Sequence, residues 1–380
     1  MKGMTWDHPR GFDPLQAATA KWRALGGDDI VWDRRSLQDF EAWPVDELAA
    51  RYDLMVIDHP HVGAVAQKGV LVPFGSGIDN AHEPEMPDFE LEAVAQGSVG
   101  ASYASYSWEG RQWALPIDAA AQVMAWSPSQ LAQPPADWPA IMALARAGRV
   151  GLPMRAPHAL MSLMTLCGVS GIALDAAARP LFPPEADVAV EMLRELWSAC
   201  GAGSAVSDPI AVLEQMADRN SRIVLSPLIY GYVSFALVGY RPRRLGFVDL
   251  VPVVGKNPAG SVLGGTGIAV SALSLHRDEA VRFARWLARG DVQRDVVAVS
   301  GGQPAHHAAW SDAGVNASSG NFYRATRRTL EQAWVRPRHE AYIARQNDAS
   351  AWLVEALESR KAPLGMLNHL NHLLESRSDG

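Results

Sequence analysis

Short apolar runs alternate with amphipathic stretches along the first quarter of the chain, the pattern of a mixed α/β protein. Lys2–Trp6 has strand length and runs into the polar string Asp7-His8-Pro9-Arg10. Leu15, Ala18, Trp22 and Leu25 then keep helical spacing from Pro14 until Gly26-Gly27 stops them. Ile30 to Trp32 predicts a second strand, and Ser36 opens a Ser-x-x-Asp cap signal. A polar segment leads from there through Pro44 to a short helix over 45–51. Leu54–Ile57 is apolar throughout, as in a strand buried on both faces of a parallel sheet, and it ends in Asp58-His59-Pro60-His61.

Farther along, Gln112 to Leu115, Pro116-Ile117-Asp118 and the apolar run Gln122 to Trp126 read as either a strand pair or a segment crossing between domains. Helical spacing predicts helices over 138–147 and 159–167, and a third that starts at Pro183-Pro184 and runs through Val188, Met192 and Leu196. Residues 221–227 and 248–253 read as strands, the second marking another crossing near 248. A glycine-rich turn, Gly264-Gly265-Thr266-Gly267, precedes a strand over 268–271, and helices follow over 278–287 and 291–299. The tail from Phe322 to His372 reads as mainly helical, with Trp334, Tyr342, Trp352 and Leu357 as packing residues. No internal repeat or low-complexity tract interrupts this organisation.

The 380 residues, 48% hydrophobic and 20% charged, suffice for two domains or one large one. Lys and Arg total 34 against 41 Asp and Glu, a net charge of −7, and no dense basic run is present. Nucleic acid is therefore not an expected partner. No window approaches the roughly 20 consecutive apolar residues of a membrane-spanning helix, so the chain is expected to be soluble rather than membrane-embedded, and monomeric. Two cysteines, Cys167 and Cys200, make neither a disulfide framework nor a cysteine-based metal site, and they leave the redox compartment open. Met1 to Trp6 runs directly into charged residues without the regions of a secretory leader. The expected compartment is the cytoplasm if Met1 is the start, and the periplasm if a leader has been removed.

The order Pro252, Gly264-Gly265-Thr266-Gly267, Ile268 to Ser271, Glu279-Ala280-Val281, Gln293 and Gly301-Gly302-Gln303-Pro304 resembles the extracellular solute-binding proteins of family 1. These are the sugar and oligosaccharide receptors of ABC importers. Tyr52-Asp53-Leu54-Met55-Val56, Pro116 with the run to Trp126, and Ser221-Arg222-Ile223-Val224 through Tyr230-Gly231 agree with it, so the resemblance spans nearly the whole chain. It implies a two-lobe, periplasmic-binding-protein-like α/β fold of type II, with discontinuous domains joined by crossing strands. Residues 1–117 plus 248–305 would form one lobe, and 118–247 plus 306–380 the other. Hinge closure on a small-molecule ligand, and an ABC permease as partner, are further implications of the resemblance.

Ligands of open α/β sheets bind outside the carboxyl ends of strands, which selects Asp7, His8 and Arg10 after the first strand and Asp58 and His59 after the third. Arg10 offers a fork for a carboxylate or a sugar diol, with Asp7 and His8 as hydrogen-bonding neighbours. In a plain turn the same string would be a capping Asp and an exposed Arg. Asp58, His59 and His61 have metal-ligand chemistry but no specific spacing, so no metal is expected. Ligand hydrogen bonding by Asp58 or His59, or a cap by Asp58, is the reading kept there. Asp118 at the crossing would accept hydroxyl hydrogen bonds or close a turn. Gly264, Gly265 and Thr266 lack the Lys of a phosphate-binding loop, but would bring backbone N–H groups and a hydroxyl close to a ligand. Gln303 follows a glycine turn that either does the same or stops a helix. Trp6, Tyr230 and Tyr232 are the aromatic candidates for stacking on a sugar face, whereas His306, His307 and Trp310, after the glycine turn, either reach the cleft or, as the expected reading, lie in an exposed loop.

No Gly-x-Ser-x-Gly elbow or paired-carboxylate motif signals catalysis, and no cofactor is expected. The expected function is binding of a small polar ligand, carbohydrate or carboxylated, in an inter-lobe cleft. The rivals are a cytoplasmic enzyme using Asp and His acid–base chemistry on the same fold, and a ligand-sensing protein without a transporter.

Overall fold

The computed structural model describes residues 1–36, 45–75, 89–255, 260–359 and 363–375. In chain order the strands are β1 (Lys2–Trp6), β2 (Val31–Arg35), β3 (Leu54–Ile57), β4 (Ser107–Trp108), β5 (Arg111–Gln112), β6 (Leu115–Trp126), β7 (Leu225–Tyr230), β8 (Gly246–Val248) and β9 (Leu263–Val270). The chain divides into two units, each assembled from separate segments. The first comprises Met1–Ala119, Gly264–Ala317 and Arg338–Glu340, and the second Ala120–Leu263, Ser318–Pro337 and Ala341–Gly380. Unit membership changes inside β6, after Ala119, and inside β9, after Leu263.

These boundaries differ from the expected lobes at residues 118–119, 248–263, 306–317 and 338–340. Residues 248–263 fall in the second unit, where Leu263 N donates to Trp334 O at 2.8 Å. Residues 306–317 fall in the first, where His307 Nδ1 lies 2.9 Å from Gly97 O and Trp310 Nε1 donates to Pro304 O at 2.6 Å.

In the first unit β1 pairs in parallel with β2 and β3, and β3 pairs antiparallel with β9. Every residue of β3 is buried, as its unbroken apolar run requires. The register sets Met4 opposite Met55 and Ile57 opposite Gly267. Because β9 runs antiparallel, its glycine-rich beginning lies beside the carboxyl end of β3. Met4, Met55, Ile268, Phe283 and Leu287 belong to one apolar core, and Trp22 and Trp286 pack on its flank around Phe283.

Several elements differ from the sequence expectation, each for a local reason. The first helix spans Pro9–Ala24 rather than starting at Pro14. His8 caps it, its Nδ1 accepting from Arg10 N at 3.1 Å, and Pro9 needs no donor in the first turn. Arg10 therefore sits on a helix, not in a loop. Gly264 to Gly267 lie in β9 rather than in a turn. Gly265 has φ +106°, and a Cβ there would collide with the Asp118 carbonyl oxygen, so only glycine permits that approach. The segments around 112–126 resolve into the two-residue β5 and a single twelve-residue strand, β6. The strand expected over 248–253 reduces to β8, ending at Val248, and the second crossing moves to β9. The helix expected over 291–299 becomes a short turn, Gly290–Val292, followed by a π-helix, Gln293–Ala298. The polar segment leading to Pro44 lies outside the described residues from position 37 onward.

In the second unit β6 pairs antiparallel with β7 and β8. The helix His158–Val169 is buried along almost its whole length and carries His158, only 3% exposed, into the core. Its ring meets Tyr230 edge-on at 6.2 Å, and its Nδ1 has no hydrogen-bond partner among the described residues. Burial holds the imidazole at about 3, against an ordinary 6.5 and against the opposing pull of Asp208. The folded value lies below the unfolded one, so the stability this group confers is present above pH 6.5 and is lost as pH falls toward 3. Between pH 7 and pH 5 the protein should lose about 2 kcal/mol more stability than a His158→Gln variant, measured by urea denaturation. Equal losses in the two proteins would contradict this.

Candidate functional site

The segments that follow β1 and β3, and the start of β9, gather at one end of the first unit's sheet. Asp7 is exposed and pairs with Arg34 at 3.2 Å. His8 is buried as the helix cap. Trp6 is also buried, lying against Gly11, where any side chain would strike the indole ring. Arg10 turns its fork on the protein's own Asp118: Nε donates to Oδ2 at 2.8 Å and Nη2 donates to Oδ1. The two side chains are 5% and 6% exposed. Burial pushes the Asp118 carboxyl up from the usual carboxylate range, the Arg10 guanidinium pulls it back, and the nearby charge of Asp58 adds a further upward push.

Two buried polar residues, Gln303 and Thr266, lie beside that pair. Gln303 is buried; its side-chain Nε2 donates to Ala119 O at 2.8 Å and its main-chain carbonyl accepts from Ala119 N at 2.9 Å. Thr266 is buried as well, its Oγ1 without a hydrogen-bond partner among the described residues. It lines a narrow internal space together with Arg10, Asp118 and Gln303.

Asp58 caps the short 3-10 turn His59–His61, its Oδ1 accepting from His59 N at 2.8 Å and lying 3.1 Å from His59 Nδ1. Its side chain is 15% exposed, whereas His59 is buried. The His59 ring meets Tyr106 edge-on at 6.4 Å. Tyr106 Oη donates to Ile57 O at 3.2 Å and to Gly265 O at 3.4 Å, joining the end of β3 to the strained start of β9.

The first unit thus brings together Asp7, His8, Arg10, Asp58, His59, Asp118, Gly264, Gly265, Thr266 and Gln303. Asp7 and Asp58 are the carboxylates of this set that reach solvent. Tyr230 and Tyr232 belong to the second unit and are buried there, with Tyr230 Oη 3.3 Å from Met161 Sδ. His306 is half-buried and stacks on His307 as a helix cap rather than lying in an exposed loop. No group of three or more His, Cys, Asp or Glu among the described residues is placed to hold a metal ion.

Sequence reasoning missed Tyr106 and His158. Tyr106 precedes the hairpin of β4 and β5, whose two-residue turn, Glu109-Gly110, has φ of 50° and 74°. Glu-Gly is a weak form of the turn signal that Asn-Gly gives strongly, and it was the one available pointer. His158 stands at the head of an apolar helix, and nothing in its neighbours marks it.

Breaking a buried pair strands the remaining partner in the interior. Arg10→Ala should cost about 3 kcal/mol, and Arg10→Met with Asp118→Leu should cost less than the sum of the single changes, by urea denaturation. Additive losses would contradict this coupling.

A family model described as bacterial extracellular solute-binding protein matches residues 46–321, well over half of the chain. Maltose-bound MalE3 of T. maritima is similar in structure, with a TM-score of 0.79 at 13% identity, over 99% of this chain and 98% of that one. The maltotriose binding protein of Thermus thermophilus, solved with maltotriose, gives 0.71 at 17% identity over 98% of both chains. An ABC transporter solute-binding protein of Agrobacterium radiobacter K84, solved with ribitol, gives 0.75 at 16% identity over 99% and 98%. No curated protein matches the chain. At such identities the structures establish a shared fold, the two-lobe fold of periplasmic sugar-binding proteins. With the family match spanning both units, the chain belongs to the bacterial extracellular solute-binding proteins.

Proposed function

We propose that this protein binds a neutral polyhydroxylated molecule, a sugar or sugar alcohol, and delivers it to an ABC permease. The observation that carries the choice of a neutral over a carboxylated ligand is the Arg10–Asp118 pair. The cation best suited to fork onto a ligand carboxylate already holds a carboxylate of its own, in a bidentate and buried arrangement. Asp58 and Asp7 remain on that face as acceptors for hydroxyl groups. The solved relatives with maltose, maltotriose, ribitol and tagatose support the same ligand class. His8 and His59, the imidazoles an acid–base mechanism would need, are buried and engaged in local hydrogen bonding, which supports binding without turnover.

Titration calorimetry with maltose, ribitol, tagatose and a sugar acid tests this reading. At least one neutral compound should bind and the sugar acid should not. Asp58→Asn should weaken that binding by about tenfold, the loss of one charge-assisted hydrogen bond. Asn caps a turn nearly as well as Asp, so the fold should be retained. Binding of the sugar acid alone, or an unchanged affinity in the variant, would overturn the proposal.

A further inference from the structure

We infer that the second unit carries a docking groove for an acidic segment of a partner protein, separate from the candidate ligand residues. Two adjoining depressions on this unit share Arg219 and Pro242. Between them they are lined by five arginines, Arg219, Arg222, Arg241, Arg243 and Arg244, against two acidic residues, Glu214 and Asp218, in a molecule whose net charge is −7.

The five are not equivalent. Arg243 is buried and acts as a tie: its guanidinium donates to the carbonyls of Met216 at 3.2 Å, Arg219 at 2.8 Å and Ser221 at 3.4 Å. Those bonds fix the turn that follows the helix Pro209–Ala217. The turn is tightened from within, where Asp218 Oδ1 accepts from Asn220 N at 2.8 Å and Ser221 Oγ accepts from Ile223 N at 3.1 Å. Arg244 donates to Ala236 O and to Ser318 O. Arg241 is held by Glu214, with Nε donating at 2.7 Å and 2.9 Å, and stacks over Tyr240. Arg219 and Arg222 remain: both are exposed, and neither guanidinium makes a hydrogen bond or ion pair with a described residue. A buried arginine therefore holds rigid a turn that presents two unengaged ones.

Charge complementarity selects the occupant. A bilayer or nucleic acid would have to approach a protein of net charge −7 over a broad front, and two unengaged guanidinium groups are too few to hold a phosphate backbone. A concave groove admits a narrow chain, and two forks three residues apart suit a pair of carboxylates on an extended acidic peptide. Such a contact is salt-sensitive and serves orientation and encounter rate more than raw affinity.

The test is fluorescence anisotropy of a fluorescein-labelled peptide of eight glutamates titrated with the full-length protein. Saturable binding is expected, weakening as salt is raised and absent for a Gly-Ser peptide of equal length. Arg219→Ala with Arg222→Ala should lower the affinity by about tenfold or more, with melting temperature and sugar binding unchanged. Arg222→Glu alone should act in the same direction, as an independent check. No saturable binding, an unchanged affinity in the double variant, or tighter association with phosphatidylglycerol vesicles or inorganic polyphosphate than with the peptide would overturn the inference.

Discussion

A guanidinium and a carboxylate buried against each other, Arg10 and Asp118, organise the candidate site. They join the first turn of the helix after β1 to the first third of β6, residues 108 positions apart in the chain. Removing both groups from water carries a large desolvation penalty, and the bidentate geometry is what offsets it. The pair has a chemical consequence as well as a structural one. It takes up the fork that would otherwise recognise an anionic ligand, and it leaves Asp58 as a partly exposed carboxylate near the buried pair.

The register of the sheet makes this arrangement possible. With β1 and β3 parallel and β9 antiparallel beside β3, the two strand-end loops and the glycine-rich start of β9 arrive at one place. Gly265 then comes so close to the Asp118 backbone that a side chain could not fit, and the Tyr106 hydroxyl bridges the Gly265 and Ile57 carbonyls. Gln303 completes the enclosure by pairing with Ala119. A chain of backbone contacts thus supports the side chains of the candidate site.

Much of this was legible in the residues alone. The apolar run Leu54–Ile57 and the strand Lys2–Trp6 marked where polar loops would follow, and the structure places both strands at those residues. The mixed α/β class was legible in the alternation of short apolar runs with amphipathic stretches, and the two-lobe fold followed from the family resemblance. What could not be read were partnerships. Arg10 looked like a ligand fork because nothing local shows that Asp118, far along the chain, would claim it. The glycines of 264–267 suggested a turn because local composition cannot distinguish a turn from a strand that needs room for another backbone. Trp6 and Tyr230 had the chemistry for stacking on a sugar, but tertiary packing buries both. His158 and Tyr106 gained their surroundings entirely from long-range contacts.

An uncharged ligand is the central consequence of the Arg10–Asp118 pair. Native mass spectrometry of gently purified protein, followed by denaturation and identification of the released molecule, tests that most directly. An intact sugar or sugar alcohol released in one-to-one proportion is the predicted result. A carboxylated or phosphorylated compound in the same proportion would contradict the role assigned to the Arg10–Asp118 pair.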